Sequence, residues 1–185
     1  MSRSDDLQRA LDRGDLVPLP MRLDSDPCMR DLFLSKEICE LVLGPYLTPA
    51  HAVRANLLWA DLEAFVRGDE ISMGLTPHKH KFATFGRLKP VSEAVFDFRS
   101  REPSPSIRLL GHFESVDCFV ALTWWPKQKR VDWSDKEPLQ KDEMKWRHAM
   151  MECTDSWFDI LPNSVPISGA QGDRYVSSNL IISGT

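Results

Sequence analysis

Ala94-Val-Phe-Asp-Phe-Arg99, Ile107-Arg-Leu-Leu-Gly-His-Phe113 and Cys118-Phe-Val-Ala-Leu-Thr-Trp-Trp125 are three strand-like runs within one stretch, Phe82 to Lys129, and their reading decides the fold. Successive side chains of a strand point to opposite faces. In the first run this puts Ala94, Phe96 and Phe98 on one face and Val95, Asp97 and Arg99 on the other. In the second, Ile107, Leu109, Gly111 and Phe113 share a face, and Arg108, Leu110 and His112 share its reverse. Turn residues separate the runs: Ser100-Arg-Glu-Pro-Ser-Pro-Ser106 between the first two, and the shorter Glu114-Ser-Val-Asp117 before the third. Cys118 to Trp125 is the most continuously apolar run and suits a central strand. The three together predict an antiparallel meander that Pro126 terminates.

Upstream, Thr48 as cap, Pro49 in the first turn and Gly68 just past the end bracket a helix. Val53, Leu57, Ala60, Ala64 and Phe65 recur at helical spacing as its expected buried face, with Arg54, Asp61, Glu63 and Arg67 toward water. Before it, Ser35 caps a short helix that Gly44-Pro45 ends, and Ser4 to Arg13 reads as another, closed by Gly14. Leu16 to Pro20 reads as extended or turn, and Asp24-Ser-Asp-Pro27 as the start of a helix through Met29, Leu32 and Phe33. After the meander, Pro138 opens a helix to about Met151. Arg174 to Ile182 reads as an edge strand or a loose tail. The expected fold is α+β: an antiparallel three- to four-stranded sheet packed by helices. Residues 1–47 form an N-terminal helical extension, 48–157 the core and 158–185 a tail or edge strand.

A chain of 185 residues, 42% apolar and 27% charged, has enough apolar side chain to fill a core. The first twenty residues carry Arg3, Asp5, Asp6, Arg9, Asp12 and Asp15 and no apolar core. With no secretory signal and no long apolar run, a cytoplasmic protein without membrane attachment is expected. Cys28, Cys39, Cys118 and Cys153 match no zinc spacing, and Cys39 and Cys118 read as small buried hydrophobes. The net charge of -4 hides an asymmetry. Pro77 to Arg130 holds ten Lys/Arg against five Asp/Glu, and the rest of the chain holds 13 against 22. Two readings stay open: the basic segment meets a polyanion, or it pairs with the acidic flanks.

A helix, a meander with apolar-Asp-apolar-Arg on its first strand and Arg in the first turn of its second, and a third strand running into lysines before another helix form an order that resembles the RelE/ParE toxin superfamily, with its HigB-like members. The matching residues are Leu88-Lys89, Phe96-Asp97-Phe98-Arg99, Ile107-Arg108-Leu109 and Thr123 to Lys129, within about residues 48–152. The resemblance implies a RelE-like core and either a ribosome-dependent mRNA endoribonuclease, in which the substrate's 2′-hydroxyl attacks the neighbouring phosphate, or a derivative that binds RNA or the ribosome. Such a reaction needs a base, cations around the phosphorane and a proton donor, and neither metal nor cofactor. Under it Asp97 is the base, Arg99 and Arg108 cradle the phosphate, Lys89, Lys127 and Lys129 contact the RNA backbone, and Trp125 stacks a base. RNA or the ribosome, and an antitoxin-like or other protein, are the implied partners.

Two features depart from that pattern. Thr123, Trp124 and Trp125 stand where members place a His or Tyr, and the chain is acidic and longer than such toxins. Asp97, Arg99 and Arg108 also read as a cross-strand salt-bridge cluster on the solvated face. The competing function is a non-catalytic protein–protein interaction module, of phage or mobile-element origin, using the same sheet. Of the remaining histidines, His78 and His80 in Pro77-His-Lys-His80 read as a solvated basic loop with metal or phosphate binding as the alternative, and His112 and His148 read as structural residues that could instead serve as acids.

Overall fold

The three runs form the antiparallel meander: β5 (Phe96–Ser100), β6 (Ile107–Ser115) and β7 (Cys118–Pro126) pair in order. The structure, a computed structural model, describes residues 4–77, 82–140 and 142–183. Around the meander the sheet is larger than expected. β1 (Leu16–Pro18), β2 (Asp31–Ser35), β3 (Ile71–Gly74), β4 (Phe85–Arg87) and β8 (Leu180–Ile182) join it in the order β1-β2-β7-β6-β5-β4-β3-β8. The fold is α+β, but the sheet is eight-stranded and mixed rather than three- to four-stranded and antiparallel. β2 runs parallel to β7, and β3 runs parallel to both β4 and β8.

Helices cover both faces. α2 (Lys36–Leu43) and α3 (Pro49–Arg67) close one core with Phe85, Phe96, Phe98, Leu109, Phe113 and Phe119. α1 (Asp5–Arg13) and α4 (Glu143–Ile160) close the other with Phe33, Val95, Leu110, Val120 and Leu122. The alternation read from β5 and β6 holds: Phe96 and Phe98 enter the first core, Val95 the second. β7 sends Phe119 and Ala121 one way and Val120 and Leu122 the other, so its unbroken apolar run belongs to a strand buried on both sides.

Residues 24–33 do not form the expected helix. Leu32 and Leu34 enter the first core and Phe33 the second, as β2 lies between β1 and β7. A three-residue apolar run fits either element, and pairing with β7 decides for strand. Residues 1–47 thus contribute two strands as well as α1 and α2. Pro18 is accommodated because β1 is an edge.

α3 is turned over relative to expectation. Ala55, Leu58, Leu62, Phe65 and Val66 face the sheet, whereas Val53 and Leu57 are exposed. Arg54 and Glu63 go inward because each has partners there. Arg54 Nε and Nη2 donate to the carbonyls of Pro105 and Ser100, at 3.0 and 2.7 Å. Glu63 Oε1 accepts from the Arg22 backbone N–H at 2.6 Å. A buried polar group so bonded removes most of its desolvation penalty.

α4 begins later and ends later than read. Leu139 and Gln140 donate their N–H groups to the carbonyls of Pro126 and Lys127, at 3.0 and 2.8 Å, which ties this segment to the end of β7 and keeps it out of the helix. Asp142 then caps, accepting from Met144 and Lys145 N–H at 3.0 and 3.2 Å. The helix runs on to bury Cys153 and Trp157. The caps at Ser4, Ser35 and Thr48 and the left-handed glycines 14 and 68 stand where expected. The C-terminal segment does form an edge strand, β8, and buries Tyr175 and Val176 in the first core. Among the described residues no helix is long and apolar enough to cross a membrane.

Candidate functional site

The hairpin between β5 and β6 sets Arg99 directly opposite Arg108. Like charges so placed repel. Asp97, two residues back on the same face, resolves the conflict. Arg99 Nε donates to both its carboxylate oxygens, at 3.0 and 2.9 Å, and Arg108 Nη1 donates to Oδ2 at 3.1 Å. The carboxylate is 2% exposed and the two guanidiniums 14% and 11%. Burial pulls Arg108 down to about 10, Asp97 resists the fall, and Arg99 and Arg101 add to it. The arrangement is a counter-ion bridging two cations beneath the surface.

Gly86 makes the cluster possible. It stands opposite Asp97 on β4, and a Cβ there would overlap the Arg99 guanidinium and the Asp97 carboxylate. Gly86→Ala is therefore expected to lower stability by about 1–3 kcal/mol, as overpacking does, measured by urea denaturation.

Trp125 is the register partner of Arg108, on the same sheet face and half-buried. Beside it a groove of about 730 Å³ lies between the loop at 134–137 and the start of α4, lined by Trp125, Lys136, Glu137, Met144, Lys145 and His148 among others. Lys136 Nζ lies 4.5 Å over the Trp125 ring and is held by Glu37 and Glu152 at 2.9 and 3.5 Å. The His148 ring meets Trp125 edge-on at 6.4 Å. Trp125 Nε1, Arg108 Nε and Thr123 Oγ1 are buried on this face with no hydrogen-bond partner among the described residues.

The other sequence candidates spread apart. Lys127 lies past the end of β7, its ammonium 4.5 Å over Trp146 and donating to the Gln140 carbonyl at 3.1 Å. Lys129 is exposed beyond it. Lys89 is exposed past β4, near the start of β5, whereas Lys127 N–H bonds the Ser106 carbonyl at the other end of the meander. Asp97, Arg99, Arg108 and Trp125 thus share a face, and Lys89 stands away from them.

His112 is fully buried in contact with Trp157, its Nδ1–H donating to the Ala94 carbonyl at 3.1 Å, and burial holds its pKa down near 4, so it is a neutral core residue. His78 and His80 lie outside the described residues. Among the described residues no three His, Cys, Asp or Glu side chains are placed to hold a metal ion. The chain matches no family model, no curated protein and no solved structure.

The groove, with Lys136 and Met144, went unread in the sequence. Its signal was present in α4, where Met144, Met151 and Phe158 recur every seven residues, outside the face that packs on the sheet. They are 83%, 53% and 48% exposed.

Proposed function

We propose that the protein is a non-catalytic interaction protein that holds an apolar partner segment flanked by acidic residues in the groove between Trp125 and Met144. The observation that carries this reading is the closure of the charge cluster. A general base must offer an oxygen to a substrate proton, and both Asp97 oxygens are engaged by guanidiniums in a carboxylate that is 2% exposed. The cluster then serves to fasten β4, β5 and β6 together. Recognition belongs to the groove: an aromatic wall with an unpartnered indole N–H, a methionine that adapts to different shapes, and Lys145 on the rim. The sheet faces are covered by helices, so the binding surface lies on the loop and α4.

Panning a twelve-residue peptide library against the protein tests the reading. Enriched peptides are expected to carry Phe, Leu or Met beside Asp or Glu, and to bind Met144→Asp at least roughly tenfold more weakly, as loss of a buried anchor does. Ribosome-dependent cleavage of mRNA, with growth arrest that a folded Arg108→Ala variant relieves, would overturn it.

One observation favours a second, RNA-directed reading of a RelE-like core. The meander lies between α3, with β3 and β4 intervening, and α4, in line with that family's pattern; Lys136 places a cation over Trp125 in the groove, and Lys127 places one over Trp146 past the end of β7. Aromatic rings beside cations bind single strands without sequence preference, and that affinity rises as salt falls. Fluorescence anisotropy with a labelled single-stranded RNA at about 20 mM salt decides it, since phosphate contacts are strongest there. No binding under that condition removes the RNA reading.

A further inference from the structure

α4 packs on the sheet through Ala149, Met150, Cys153 and Trp157. Its opposite side presents Met144, His148, Met151, Asp155 and Phe158, all exposed. The spacing is four, three, four and three residues. That is the seam of a helix that pairs with another helix, and among the described residues nothing in the chain covers it. Charge divides along its length. Lys145 and Arg147 lie on the N-terminal half, and Asp155 and Asp159 on the C-terminal half. Arg147 and Asp155 make no ion pair among the described residues.

We infer that the partner segment is α4 of a second copy of this chain, packed antiparallel across a twofold axis at Met151. The inference rests on the groove reading above and names its occupant. An axis at Met151 sets each residue opposite the one equally far on the other side. Met144 meets Phe158, Met151 meets itself, and Arg147 meets Asp155. Every apolar seam residue finds an apolar partner and every Asp155 a cation, which a twofold interface requires because both copies present the same patch.

Phe158 of the second copy is then the anchor brought over Met144 at the groove, with Asp155 as its acidic flank and Arg147 to receive it. Met144 and Phe158 lie about 21 Å apart along the helix at 1.5 Å per residue, so the two anchor sites are separate and both fill at once. Glu143 and Asp159 meet at each end of the seam, at an exposed rim where salt screens them. A parallel pairing would instead set Asp155 against Asp155 and Arg147 against Arg147, so the charges select the antiparallel arrangement.

Sedimentation velocity on the full chain over roughly 1–300 µM tests this, because self-association scales with protomer concentration. The mass is expected to rise from 21.1 kDa toward twice that value as concentration increases. Met151→Asp, which sets two carboxylates together on the axis, weakens association by roughly tenfold or more. Arg147→Asp and Asp155→Arg each weaken it, and the double variant restores it, a rescue that loss of fold cannot mimic. A monomer throughout the range, a dimer indifferent to Met151→Asp, or a charge swap that fails to restore association overturns the inference. Peptide capture by Met151→Asp is scored separately. Capture without self-association leaves the groove reading intact and removes the second copy, and undiminished capture by a Met144→Asp variant that still dimerises removes the groove reading alone.

Discussion

Asp97→Asn is expected to lower the unfolding free energy by about 3–5 kcal/mol, the range seen when one member of a buried ionic cluster is removed. Asparagine keeps the shape and loses the charge. Arg99 and Arg108 would then face each other across the hairpin, largely buried, with no counter-ion between them. Urea denaturation followed by tryptophan fluorescence measures the loss. A companion variant separates charge from packing. Adding Arg108→Met to Asp97→Asn removes one uncompensated cation and restores part of the stability, since an apolar side chain of similar volume is tolerated where a lone charge is not. The sign also discriminates between functions. Residues kept for chemistry tend to be held at a cost to stability, so their replacement is neutral or stabilising. A more stable Asp97→Asn would therefore favour a catalytic origin for the cluster.

Phe85→Ala is expected to have a comparable effect, about 3–5 kcal/mol, from the cavity left by a buried ring. Phe85 on β4 is fully buried and lies 4.9–5.4 Å, centroid to centroid, from Phe65, Phe98, Phe113 and Phe119. It joins α3 to three strands, so no single neighbour can relax into its place. Leu47→Ala serves as control. Leu47 is 71% exposed and should change stability by no more than about 0.5 kcal/mol. Equal effects at the two positions would mean that the first core is not packed around Phe85.

These two residues mark where the sequence is legible and where it is not. Strand alternation alone places Asp97, Arg99 and Arg108 on one face, because a hairpin fixes register locally. Their burial was not legible. It depends on Gly86, and Gly86 faces Asp97 only because a three-residue strand, too short to show a period, pairs there. The inversion of α3 has a related cause. Val53, Leu57, Ala60 and Ala64 form one apolar stripe and Ala55, Leu58, Leu62 and Phe65 another, so hydropathy supports either face. The carbonyls that receive Arg54 come from the β5–β6 hairpin and decide between them. Likewise β2 became a strand through β7, far along the chain. Features set by neighbours in sequence were readable, and features set by remote partners were not.

The parallel pairing of β2 with β7 also orders events in time. Ser35 Oγ bonds the carbonyl of Leu122, 87 residues downstream, and Leu32 and Phe33 sit beside Phe119 and Val120. Closing so long a loop precedes any return from the contacts it makes, and such topologies fold slowly. The local meander can form first. During synthesis, then, the apolar Leu32-Phe-Leu34 segment emerges long before its sheet partner and stays uncovered until β7 follows, a window in which aggregation or chaperone capture competes with folding.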